Sequence, residues 1–83
     1  MRLDLVLKLS GLIKRRTIAK TLCENGKIMI NSKISKPSSE VKDGDKLTLC
    51  LGEKVIEVTI GFEQKYKKEF PYYREDEKLH VKN

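Results

Sequence analysis

The chain has 83 residues, 39% hydrophobic and 36% charged, with 18 Lys and Arg against 12 Asp and Glu for a formal net charge of +6. One domain of this length buries a thin core and leaves no room for a deep catalytic cleft between two lobes. The basic excess points instead to a polyanionic partner, because cations that neutralise phosphates release condensed counterions.

The excess is uneven. Over residues 1–30, seven Lys and Arg (Arg2, Lys8, Lys14, Arg15, Arg16, Lys20, Lys27) face only Asp4 and Glu24. The middle third is balanced, and the last carries a surplus of one.

Leu3, Val6 and Leu7 fall at helical spacing and predict an amphipathic helix over residues 3–10, with Gly11 as its C-terminal stop. The link to Arg16 is short, so the next helix turns back close to the first. Thr17 is the expected N-cap of a second helix over residues 17–24. Ile18, Ala19, Leu22 and Cys23 give that helix one apolar face, and Asn25-Gly26 ends it.

After Gly26 the pattern becomes β. Residues 27–31 read as a short strand, Asn31-Ser32 as a turn, and residues 33–35 as a segment pairing back. Lys36 before Pro37 is held extended, and Asp43-Gly44 marks a tight turn. Leu47, Leu49 and Leu51 alternate with Lys46, Thr48 and Cys50. Ile56, Val58 and Ile60 do the same one strand later. The link between them is Gly52-Glu53, with Gly first as a type II′ hairpin requires. Antiparallel strands over residues 46–51 and 54–60 each carry one apolar face, and the two helices are its cover. The fold class is therefore α+β: two N-terminal helices packed on a small, mainly antiparallel sheet.

Residues 1–60 form the domain in this reading, and residues 61–83 a charged, aromatic-containing tail. All five aromatics, Phe62, Tyr66, Phe70, Tyr72 and Tyr73, lie there. Pro71 interrupts any helix. The tail reads either as a segment that docks through its aromatics or as a partly disordered extension. Stacking of its rings on unpaired bases competes with packing on the sheet edge or helix pair, and packing is the better account.

The chemistry concentrates at the helix junction. Lys14, Arg15 and Arg16 fan around the start of helix two, so at least two face outward together. Lys20 follows Arg16 by one turn on the same face, and Arg2 and Lys8 contribute from helix one. The planar guanidinium fork meets phosphate oxygens bidentately, and the N–H groups opening helix two add a positive field. A solvated face that only maintains solubility is the competing account, and the asymmetry of the charge argues against it. Asp4 reads as a local ion-pair partner that orients Arg2, since no second carboxylate converges on it for acid–base work.

Other chemistries lack support. His80 stands alone, with no cluster at metal-ligand spacing. Cys23 and Cys50 are not a C-x-x-C pair, and with no signal-peptide pattern ahead of them they read as reduced thiols of a cytoplasmic protein. No phosphate-cradling or nucleophile-elbow motif is present. No apolar run approaches the ~20 residues needed to cross a bilayer. The expectation is a non-enzyme with no metal and no cofactor.

Ordered motifs then tie the chain to a family. R-L-D-x-x-L-K at residues 2–8, L-I-K-R-R-T at 12–17, G-K-I-x-I-N at 26–31, K-P-S-S at 36–39 and V-K-x-G-D at 41–45 resemble the S-four RNA-binding domain, named after the fourth protein of the small ribosomal subunit. A free-standing domain of this length is similar to the bacterial ribosome-quality-control protein P family and to the core of heat-shock protein fifteen. The resemblance implies a protein that binds 23S rRNA and peptidyl-tRNA on an obstructed large ribosomal subunit; a monomer is expected. It also implies support for tailing of the stalled chain alongside a larger tRNA-recruiting factor. The family's RNA-contacting basic positions fall on Arg2 and Arg16, with Lys14 and Arg15 beside them; Lys8, Lys20 and Lys36 complete the candidate RNA-binding set. Leu5-Val6 stands where the family more usually has a basic-aromatic pair, and Gly11 where a basic residue is common, so helix one carries less positive charge. Three other readings remain open: an assembly factor on immature rRNA, a DNA-binding helix-turn-helix protein, and a protein-interaction module. Against the helix-turn-helix, the polar face of helix two (Lys20, Thr21, Glu24) lacks the Asn, Gln and Arg row that reads base edges.

Overall fold

Leu3, Val6 and Leu7 line the buried side of α1 (Leu3–Leu9), as their spacing predicts. The computed structural model describes residues 1–76; residues 77–83, and with them His80, lie outside the described residues. No side chain caps the start of α1. The N–H groups of Leu3 and Asp4 donate instead to the carbonyls of Ser39, at 2.8 Å, and Pro37, at 3.1 Å. A helix start leaves such donors without intrahelical partners, and here a distant loop supplies the acceptors. The loop is closed by its own bonds, with the Lys36 N–H donating to Ser39 Oγ at 2.9 Å and the Ser39 N–H to the Lys36 carbonyl at 3.0 Å. Beside it, Arg2 forms a β-bridge with Glu40, and the Val41 N–H donates to the Met1 carbonyl at 2.8 Å. These bonds bring residues 36–41 against the beginning of the chain.

The second helix, α2 (Arg16–Glu24), opens one residue earlier than expected. Arg15 is the extended N-cap residue and no side chain caps the helix, so Thr17 lies inside the first turn. The Thr17 carbonyl accepts a bond from Thr21 Oγ1 at 3.0 Å. The apolar face is also narrower than the sequence suggests. Ala19 and Cys23 are buried, Leu22 is half-buried and Ile18 is exposed. Ala19 and Cys23 are one turn apart and share a stripe, whereas Ile18 sits one residue round the helix, on the flank of that stripe.

Five strands follow: β1 (Ile28–Ile30), β2 (Lys33–Ile34), β3 (Lys46–Leu51), β4 (Lys54–Lys65) and β5 (Lys68–Glu75). They form one sheet in the order β2-β1-β3-β4-β5, every pair antiparallel. Ile28, Ile30, Leu47, Leu49, Val58 and Ile60 point from it into one core with Leu3, Val6, Leu7, Ala19 and Cys23. This is the α+β architecture expected. The β1–β2 turn is pinned by Asn31, whose side chain donates to Asp45 Oδ1 at 3.1 Å and accepts the Lys46 N–H at 3.0 Å. Between β3 and β4, Gly52 takes φ +65° and Glu53 does not turn positive, as the type II′ reading requires.

The departure from expectation lies beyond Ile60. β4 runs on to Lys65 and β5 pairs with it along its whole length, so residues 61–75 continue the sheet. Over the described residues, a hairpin takes the place of a docked tail or a disordered extension. Phe62 is half-buried against the core, with Pro71 buried opposite it. Proline fits there because β5 is an edge strand. Gly61 faces Tyr72, whose ring occupies the space a Cβ would take. The link is Tyr66-Lys67, both at positive φ (52° and 65°). Neither is the Gly, Asn or Asp that normally announces such a turn, which is why the hairpin left no mark in the sequence pattern.

Candidate nucleic-acid interface

Asp4 is the centre of the site. Its side chain is 3% exposed, and two arginines from different elements converge on it. Arg2, just ahead of α1, donates from Nε to Oδ1 at 3.2 Å and from Nη2 to Oδ2 at 3.3 Å. Arg16, in the first turn of α2, places its Nε 3.4 Å from Oδ2. Burial alone would raise the Asp4 carboxyl, but the Arg2 hydrogen bonds, the Arg16 contact and both positive charges outweigh it and hold the group below the usual carboxylate range. The acid is thus ionised near neutral pH and fixes both guanidinium planes.

The two arginine side chains remain about half exposed, at 50% and 47%. One carboxylate offsets one of the two positive charges. The guanidinium N–H groups not used on Asp4 have no partner among the described residues. An ordered pair of forks with outward donors suits adjacent phosphates or a phosphate and a sugar hydroxyl. The sequence pairs Asp4 with Arg2, whereas the Arg16 contact depends on how the helices pack.

The other candidate cations are distributed around this pair. Lys20 and Lys36 join Arg2 along a groove between α2 and the segment that leaves β2, whose remaining walls include Cys23, Glu24, Gly26, Ile34 and Pro37. Lys8, one turn beyond Asp4 on α1, is exposed, as are Lys14 and Arg15 at the entry to α2. None of Lys8, Lys14, Arg15, Lys20 and Lys36 has an ion pair among the described residues. Lys8, Lys14 and Arg15 line neither the Asp4 cluster nor the groove. The groove itself went unseen in the sequence because its two walls come from α2 and from residues 34–38, joined only by the fold.

Burial, with the Asp4 and Glu24 charges adding to it, pushes the Cys23 thiol up to about 11. Cys23 is therefore a neutral thiol that lines the groove, and a thiolate nucleophile is not available there. Among the described residues no cluster of His, Cys, Asp and Glu is arranged to hold a metal, and no helix is long and apolar enough to cross a membrane.

The site lies within the part of the chain that known proteins share. Residues 1–47 match the S4 domain family model. The RQC P-site tRNA stabilizing factor of Bacillus subtilis is 51% identical over 61 residues, covering 74% of this chain and 71% of that protein. The protein of the same name from Halalkalibacterium halodurans is 50% identical over 60 residues, covering 72% and 68%. That from Listeria monocytogenes is 47% identical over 70 residues, covering 83% and 76%. Among solved structures, the trimeric Vibrio cholerae Heat Shock Protein 15 superposes with a TM-score of 0.75 at 28% identity, over 92% of this chain and 81% of that one. The last alignment reaches past the family model, in keeping with a sheet that continues beyond Ile60. With fold and sequence in agreement, the chain belongs to the S4 domain family, a non-catalytic RNA-binding family, among the relatives called RQC P-site tRNA stabilizing factors.

Proposed function

We propose that this protein stabilises peptidyl-tRNA on obstructed large ribosomal subunits during ribosome-associated quality control, bridging the tRNA and 23S rRNA without catalysis. The convergence of Arg2 and Arg16 on buried Asp4 carries the reading. It presents two oriented forks at the surface where the chain's positive charge is concentrated. The names of the relatives support the tRNA side of the proposal. The 23S rRNA contact, the contributions of Lys8, Lys14, Arg15, Lys20 and Lys36, and cooperation with a larger tRNA-recruiting factor in the cytoplasm belong to the same proposal.

The test is sedimentation with three ribosomal fractions. The protein is expected to travel with free large subunits bearing peptidyl-tRNA more than with intact ribosomes or assembly precursors. Preferential binding to precursors would replace this reading with a role in subunit assembly through the same surface. Absence from all three fractions would remove the ribosomal role.

A further inference from the structure

The groove beside the arginine pair is built differently from a surface that only meets phosphates. Three basic residues line it, Arg2 just ahead of α1, Lys20 on α2 and Lys36 on the loop, with the acid Glu24 beside them. Apolar side chains share the lining, with Ile34, Pro37 and Cys23 among them. Ile34 is 70% exposed and packs into no core, although it lies on a strand. A continuous double helix keeps the faces of its bases stacked and offers a protein phosphates, sugars and groove edges. The apolar part of a lining that mixes cations with Ile34, Pro37 and Cys23 gains nothing from such a ligand.

We infer that this groove seats a single unstacked nucleotide of the RNA partner, its phosphate held by Lys20 and Lys36 and its base laid on Ile34 and Pro37. The inference deepens the proposed RNA-binding role and rests on it. Glu24 lines the same groove; in this arrangement its carboxylate disfavours a second phosphate and is available to accept from a base amino group or a ribose hydroxyl. The Cys23 thiol stays uncharged, so the lining remains compatible with a base face. The protein thereby recognises a bulge, loop or junction in the RNA, and the Arg2–Asp4–Arg16 cluster grips the backbone next to it.

The experiment uses the full chain and two hairpin RNAs of equal length. In one, a 2-aminopurine is bulged from the stem; in the other it is paired within it. The bulged RNA is expected to bind about fivefold tighter, from partial burial of one base face, and its fluorescence to change on binding. Ile34→Ser, at an exposed position where folding is not at stake, brings the two affinities within about twofold of each other. Equal affinities in the unmodified protein, or a preference that survives Ile34→Ser, overturn the groove assignment and leave the RNA-binding role standing. If neither RNA binds at all, the role falls and the groove assignment falls with it.

Discussion

Arg16 Nε lies 3.4 Å from Oδ2 of Asp4, across the junction of the two helices. This approach turns two separate basic motifs into one surface, because the same carboxylate already holds Arg2. It predicts that the two arginines act as a pair. Arg2→Ala and Arg16→Ala are each expected to weaken structured-RNA binding and to lower the salt dependence by about one unit for each phosphate left without its cation. Their effects should be non-additive, since both side chains share a partner. Filter binding across a salt series measures this; unchanged slopes in both variants would take the pair out of the interface.

Asp4→Asn separates orientation from charge. The substitution makes the protein more positive by one, so simple attraction predicts tighter RNA binding. Loss of the carboxylate that aligns both forks predicts the reverse. We expect affinity to fall about three- to tenfold, a modest cost of the kind seen when charged hydrogen bonds are removed. Tighter binding would show that Asp4 does not position the arginines for RNA.

The same residue sets an acid limb of stability. Its folded carboxyl lies below the ordinary value of 3.8, so the folded state favours the ionised form. That contribution is fully present above the ordinary value and is lost as pH falls through the lower folded one. Thermal unfolding between pH 5 and pH 2 should therefore show a loss of stability that is smaller in Asp4→Asn. A variant with an unchanged acid limb would contradict the assignment.

The C-terminal hairpin makes two predictions of opposite sign. Gly61→Ala drives a methyl group into the Tyr72 ring and should destabilise the protein by about 1–3 kcal/mol in urea unfolding, as overpacking does. Adding Tyr72→Ala should recover part of the loss.

At the turn of that hairpin, replacing Tyr66-Lys67 by Asn-Gly should stabilise by about 1 kcal/mol, because side chains at positive φ are relieved of strain. A destabilised Asn-Gly variant would mean that the link contributes something beyond its backbone geometry.

The parts of the fold readable in the sequence are those that local chemistry dictates. Leu3, Val6 and Leu7 announce α1, the leucines of β3 announce a strand with one buried face, and Gly52 announces its turn. Thr17 misled because an N-cap can be supplied by any extended residue if tertiary packing holds it, and Arg15 takes that place. The hairpin of β4 and β5 went unread because Tyr66-Lys67 adopts a glycine-like turn under the pull of the strand pairing on either side. At the site, the cations were legible as charge density, and Asp4 as the neighbour of Arg2. The Arg16 contact and the groove lined by Ile34 were not, since both join positions far apart in the chain.

Because the opening turn of α1 borrows its acceptors from Pro37 and Ser39, the carboxylate that holds both arginines sits on a helix start completed by a segment more than thirty residues away. Under the proposed function, selective recognition of RNA then requires that loop to be docked, because undocked cations offer only nonspecific attraction. On that proposal, substitutions at residues 36–39 are expected to weaken RNA binding without altering either arginine.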